Sequence, residues 1–138
     1  MKVLFDTNVL IDFLLDREPW ADDAARVLSY VERGSVQGFT CATSVATVFY
    51  LARKAGGVAQ ARKHVRALLS LLQVAPVQGS TLNAALASNV ADFEDAVVAE
   101  AASQTGADVV VTRDPMGFKG SPLPAHSPGD FLALLQSR

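Results

Sequence analysis

The strongest constraint on this chain is a set of apolar runs too short to be helices, alternating with segments whose apolar residues recur at helical spacing. "KVLF" leads directly to Asp6, and far downstream "ADVVVT" is followed by Arg113 and Asp114. Short unbroken apolar runs of this kind fit strands buried on both faces. "VQGFTCA" and "QVAPV" are two more strand candidates, the second ending at Pro76 and so suited to a sheet edge or an early stop.

Between the runs, "TNVLIDFLLD" carries Val9, Leu10, Phe13 and Leu14 on one helical stripe, with Thr7 or Asn8 as cap. "PWADDAARVLSYVERG" starts near Pro19, aligns Ala24, Val27, Leu28 and Val31, and stops at Gly34. "TSVATVFYLARKAGG" is capped by Thr43 or Ser44 and ended by Gly56 and Gly57. "VAQARKHVRALLSLL" sets its basic residues opposite Val65, Leu68, Leu69 and Leu72. "STLNAALASN" and an acidic helix precede the "ADVVVT" strand. A Gly- and Pro-rich loop with room for one short strand follows it, and "GDFLALLQSR" closes the chain as a helix.

Strands alternating with helices require crossover connections, hence a parallel sheet covered on both faces: a three-layer α/β/α sandwich with a central parallel sheet. Sites in such sheets form outside the carboxyl ends of the strands. Asp6 and Asp114 each follow a strand, so both are expected at the same sheet edge.

A length of 138 residues fits a single domain, 1–138, large enough to bury about two thirds of its unfolded surface. Half of the residues are hydrophobic and 19% are charged, which is a globular composition. Asp6 interrupts the first apolar run too early for a secretory signal, and no run is long enough for a membrane span, so a cytoplasmic location is expected. The lone Cys41 excludes disulfide scaffolds and multi-cysteine metal sites, and reads as a core residue at a strand end.

The net charge of −2 hides an asymmetry. No Asp or Glu stands between Gly34 and Ala91, where Arg53, Lys54, Arg62, Lys63 and Arg66 all lie. That basic stretch is either a solvated helix face or a flank that holds a polyanion by its phosphates.

"NVADFEDAVVAEAA" crowds Asp92, Glu94 and Asp95 at the start of an apolar helix. Asp92 is a good cap, and first-turn acids oppose the positive end of the helix dipole. At ~100° per residue from Asp92, Glu94 and Asp95 fall at roughly 200° and 300°, inside the apolar arc of Val98, Ala99, Ala101 and Ala102. A carboxylate on a buried face needs a cation, a metal or a proton. Arg113 is one cationic candidate; a metal or catalytic use of Asp95 beside Asp6 and Asp114 is the other reading. Clustered hard oxygen ligands without histidine or cysteine select Mg²⁺ or Mn²⁺, whose bound water supplies a nucleophile for phosphodiester hydrolysis.

Over nearly its whole length, through "VLFDTNVLIDFLLDR", "TSVATVFYLARK" and "DFEDAVVAEAASQTGADVVVTRDPMGF", the chain resembles the PIN domains of VapC-like toxins. The resemblance implies a Mg²⁺- or Mn²⁺-dependent endoribonuclease, the expected partners being an RNA substrate, an antitoxin protein and a second copy in a homodimer. It places Asp6, Asp95 and Asp114 as catalytic, metal-binding acids, with Thr112 and Asn8 supporting them. Glu94 has no firm counterpart and is either an additional ligand or a helix-end acid. The family's second acid belongs near Thr47, where this chain has none; Glu94 or Asp92 fills that role, or the metal is held weakly, or catalysis is lost.

Substrate-binding candidates are Arg17, Arg53, Lys54, Arg62, Lys63 and Arg66, although Arg17 also has Asp16 and Glu18 beside it as local ion-pair partners. Trp20 reads as an anchoring hydrophobe rather than a stacking platform, and Phe49 and Tyr50 as core or dimer interface. The competing functions are a non-catalytic PIN module that binds RNA or a protein partner, and a phosphatase or receiver-type domain. "DTN" argues against the last, because it lacks the second aspartate that a dehalogenase-type phosphatase carries two positions on.

Overall fold

A computed structural model describes residues 1–138. At its centre β1 (Lys2–Phe5), β2 (Gln37–Cys41), β3 (Gln73–Ala75), β4 (Val109–Val111) and β5 (Ala125–His126) form an all-parallel sheet in the order β3-β2-β1-β4-β5. The α/β/α sandwich expected from the alternation is the fold observed. "QVAPV" supplies an edge strand, and the Gly- and Pro-rich loop contains the short strand for which it has room.

Around the sheet lie α1 (Thr7–Leu14), α2 (Ala21–Glu32), α3 (Ala42–Leu71), α4 (Gly79–Leu86), α5 (Phe93–Thr105) and α6 (Pro128–Gln136), with a 3-10 turn at Pro115–Phe118. Side chains alternate across a strand, so neighbouring residues face opposite layers. Val3, Phe5, Val109 and Val111 pack with residues of α1, α2, α3 and α6, whereas Leu4 and Val110 pack against the small face of α5, including Ala96, Ala99 and Ala102. Each fully buried large apolar side chain contributes about 1.5–3 kcal/mol.

Several local expectations are corrected. α1 is capped by Asp6, not by Thr7 or Asn8: its carboxylate accepts from the Thr7 N–H at 2.8 Å. α3 begins at Ala42, behind Cys41, so Thr43 and Ser44 lie inside the helix; Ser44 is buried and accepts from the Thr7 hydroxyl at 2.7 Å. The two helices expected on either side of Gly56 and Gly57 follow one another within α3 across a break at Gly57 (φ 88°, ψ 174°). Leu69 and Phe13 are exposed, because the apolar stripes of α3 and α1 are wider than the surfaces that cover them. Cys41 is buried and free, and Asp92 caps α5 by accepting from the Asp95 N–H at 3.0 Å.

β1 and β4 are adjacent and in register, with Phe5 opposite Val111. The Asp6 N–H donates to Val111 O at 2.9 Å, so the chain leaves both strands at one point. That places Asp6 and the segment Thr112–Asp114 side by side at the carboxyl edge of the sheet.

Candidate acidic site at the sheet edge

Asp6 is buried and its two oxygens are held separately. Oδ1 accepts from the Thr7 N–H, and Oδ2 accepts from the Thr112 hydroxyl at 2.9 Å. Thr112 Oγ1 also accepts from the Asp114 N–H at 3.2 Å and from the Asn8 amide at 3.4 Å. One hydroxyl proton and two lone pairs are thereby all engaged, which fixes the Asp6 carboxylate against the start of the Asp114 turn. Asn8 Oδ1 in turn accepts from the Arg113 N–H at 3.1 Å. Asn8 and Thr112, read as supporting residues, therefore tie α1 to the end of β4.

Burial raises the Asp6 pKa most strongly; the hydrogen bonds from Thr112 and Thr7 oppose this, and the charges of Asp114 and Asp92 add to it. Asp95, half-buried in the first turn of α5, is pushed up to about 6, first by burial and then by the charges of Asp6, Asp92, Asp114 and Glu94. These carboxylates sense one another, and no cationic side chain is paired with them. Arg113, the sequence candidate for such a partner, instead makes a two-pronged ion pair with Asp12, at 2.9 Å and 3.1 Å.

Two clefts meet at this edge. The first, of about 460 Å³, is lined by Asp6, Asn8, Arg17, Thr47, Glu94 and Asp95 among others, with apolar walls from Ile11, Leu51, Leu82 and Phe93. The second is lined by Asp92, Asp95, Asp114, Gly117 and Lys119, so Asp95 borders both. Gly117 has no side chain to separate the acids: a Cβ there would stand 3.0 Å from an oxygen of Asp114 and 3.1 Å from one of Asp95.

The remaining sequence candidates are distributed unevenly. Glu94 is exposed rather than buried, yet it lines the first cleft together with Thr47. Arg17 forms no ion pair with Asp16 or Glu18 and faces the same cleft. Arg53, Lys54, Arg62, Lys63 and Arg66 are exposed along α3, and none lines either cleft. Tyr50 is exposed, with Lys54 over its ring at 5.4 Å, and is not core; Phe49 is half-buried. Trp20 is 40% exposed and anchors nothing in the core; its ring lies under the Arg113 guanidinium at 3.9 Å.

Asp12 escaped the sequence reading. It sits among Val9, Leu10, Ile11 and Phe13, and an acid inside an apolar helix poses the same question of a missing partner that Asp95 posed. Gly117 carried no sequence signal, since its value lies in the space it leaves between residues far apart in the chain.

The donor set is all hard oxygen, which suits Mg²⁺ or Mn²⁺. No three acids close into a ready-made coordination shell. An ion that keeps several waters and takes one or two carboxylates directly, as Mg²⁺ does, would suit these oxygens. Mutual repulsion without a cation, and the side-chain-free gap at Gly117, agree with such an ion among Asp6, Asp95 and Asp114.

A parallel α/β/α sheet whose central strands deliver acids to a shared edge defines a class of domain. The chain belongs to the PIN domain family, whose model matches residues 2–115. A search of curated proteins finds no match. Among solved structures, it is similar to a chain of VapBC2 from Rickettsia felis, bound to a promoter DNA fragment: 17% identity, TM-score 0.71, covering 92% of this chain and 98% of that one. It is similar also to a toxin-antitoxin complex from Klebsiella pneumoniae: 23% identity, TM-score 0.70, covering 91% and 97%. VapC20 from Mycobacterium tuberculosis, a Sarcin-Ricin loop cleaving toxin, matches at 14% identity with TM-score 0.62, covering 78% and 86%. At these identities the structural likeness concerns the fold.

Proposed function

We propose that this PIN domain is a Mg²⁺- or Mn²⁺-dependent endoribonuclease, acting in the cytoplasm as the toxin of a toxin–antitoxin pair. The observation that carries the proposal is the group of mutually repelling carboxylates around Asp95, left without a cationic partner because Arg113 is engaged by Asp12. Membership of the PIN family, and neighbours that include toxin–antitoxin complexes and an RNA-cleaving toxin, support it.

Asp6, Asp95 and Asp114 would hold the ion, with Glu94 reaching it from the first cleft. When bound, the ion acidifies a water and neutralises charge on the phosphate. Thr112 orients Asp6 and favours its ionised form against burial by donating to Oδ2, and the Thr7 N–H does the same at Oδ1. Arg17 meets a phosphate entering the first cleft, while the basic face of α3 draws the RNA by its backbone. A homodimer through exposed apolar residues such as Tyr50, and an antitoxin that covers the acidic edge, complete the reading.

Purified protein incubated with RNA and Mn²⁺ is expected to cleave it, with EDTA abolishing the activity and Asp6→Asn or Asp95→Asn lowering it at least a hundredfold. Cleavage that is indifferent to EDTA and to both substitutions would defeat the proposal.

A second reading, a non-catalytic PIN module that binds RNA or a protein, is favoured by one observation: Thr47 lines the cleft where the family resemblance calls for an acid. Salt-dependent RNA binding that survives EDTA, without cleavage, would select it.

A further inference from the structure

We infer that Asp12, Arg113 and Trp20 form a clamp that positions Arg113 and Asp114, and with them the acidic edge; Asp12 and Arg113 are positioning residues of that site. The inference rests on the ribonuclease reading for what Asp114 does, but the clamp itself is geometric.

Asp12 is 1% exposed, so its carboxylate is almost entirely removed from water. It is satisfied by the fork of one guanidinium, with Nε at 2.9 Å from Oδ2 and Nη2 at 3.1 Å from Oδ1. Two parallel bonds fix the distance and the plane of the Arg113 head group. The guanidinium carbon also lies over the Trp20 ring, 3.9 Å from its centroid, in cation–π range. Lysine could supply the charge but neither the fork nor the flat stacking surface.

What this arrangement holds is the residue between the two site residues that follow β4. Arg113 is gripped through its side chain by Asp12 and through its main-chain N–H by Asn8 Oδ1 at 3.1 Å. Asn8 and Asp12 lie one turn apart on α1, and α1 is capped by Asp6. One helix therefore carries the first acid at its start and, along its side, both anchors that hold the segment bearing the last acid. The ion pair joins residues 101 positions apart and is separate from the β1–β4 ladder, which is already closed by its own backbone bonds. Its specific effect is to set where Asp114 stands relative to Asp6.

The test is amide hydrogen exchange in Arg113→Lys, with Asp12→Asn as the second variant should the first fail to fold. The Arg113 and Asp114 amides, bonded to Asn8 and Thr112, are expected to exchange at least tenfold faster than in the wild type. The Val110 and Thr112 amides, bonded to Pro124 O and His126 O, should stay within twofold. In the same variants Mn²⁺ should bind about tenfold more weakly, and RNA cleavage should lose about tenfold in kcat with KM held within twofold.

Unchanged exchange at Arg113 and Asp114 overturns the clamp. Uniform acceleration at all four amides overturns it too, because it reports a weakened fold and no local positioning. Loosened amides with Mn²⁺ affinity intact overturn the link to the site. A wild-type chain that neither binds Mn²⁺ nor cleaves RNA defeats the ribonuclease reading instead, and the exchange result, which needs neither metal nor RNA, still decides the clamp.

Discussion

Asp95 is an acid among other acids, with no cationic side chain paired to it. With its folded pKa raised from 3.8 to about 6, the folded protein holds a proton that the unfolded chain has already lost. Stability from this group is therefore undiminished below about pH 3.8 and falls as the pH rises to about 6. The metal-free protein is expected to lose melting temperature over that interval more steeply than Asp95→Asn does. Adding Mn²⁺ at pH 7 should restore it, a comparison made by thermal scans with and without the ion. Gly117 offers a steric counterpart. A methyl group 3.0 Å and 3.1 Å from the two carboxylate oxygens would crowd the space between them. Gly117→Ala is expected to keep its fold by circular dichroism and to bind Mn²⁺ at least tenfold more weakly by calorimetry. Thr47→Glu should do the reverse and tighten Mn²⁺ binding, since position 47 faces the cleft that holds Glu94 and Asp95.

Among the elements, α3 shows how a glycine with a specific backbone becomes structural. At φ 88° and ψ 174°, Gly57 occupies a region essentially closed to other residues, so Gly57→Ala should cost about 1–3 kcal/mol in urea unfolding. The alternation of strands and helices was legible in the sequence because period and run length are local properties, and the common edge of Asp6 and Asp114 followed from the parallel sheet. Helix caps were less legible. Thr7 and Asn8 have the chemistry of a cap, but Asp6 leaves β1 with its carboxylate already over the Thr7 N–H, and it was assigned only to the site. The pairing of Asp12 with Arg113 could not be read, since it depends on β1 lying beside β4, a long-range fact that no periodicity encodes. Helical-wheel geometry put both Asp95 and Glu94 on the buried face, where the first is half-buried and the second exposed, because a wheel shows direction around the axis but not what covers each turn.

Across the whole molecule, charge is separated locally: Asp6, Asp92, Glu94, Asp95 and Asp114 line the clefts at the sheet edge while the cations of α3 stay on its exposed surface. If those cations hold RNA, replacing Arg62 and Arg66 by Gln should flatten the dependence of log K on log salt by about 1.4 for a single strand, as measured with EDTA present. No helix is long and apolar enough to cross a membrane. The strand order adds a consequence in time. β1 is made first, yet its neighbour β4 comes near the end, and Asp6 meets Thr112 only across 106 positions. At about 5–20 residues per second of synthesis, roughly 5–20 s separate the translation of these two residues. Asp92, Glu94 and Asp95 are made within that interval but Asp114 is not, so the acidic edge stays incomplete on the growing chain until β4 and the turn after it have been delivered.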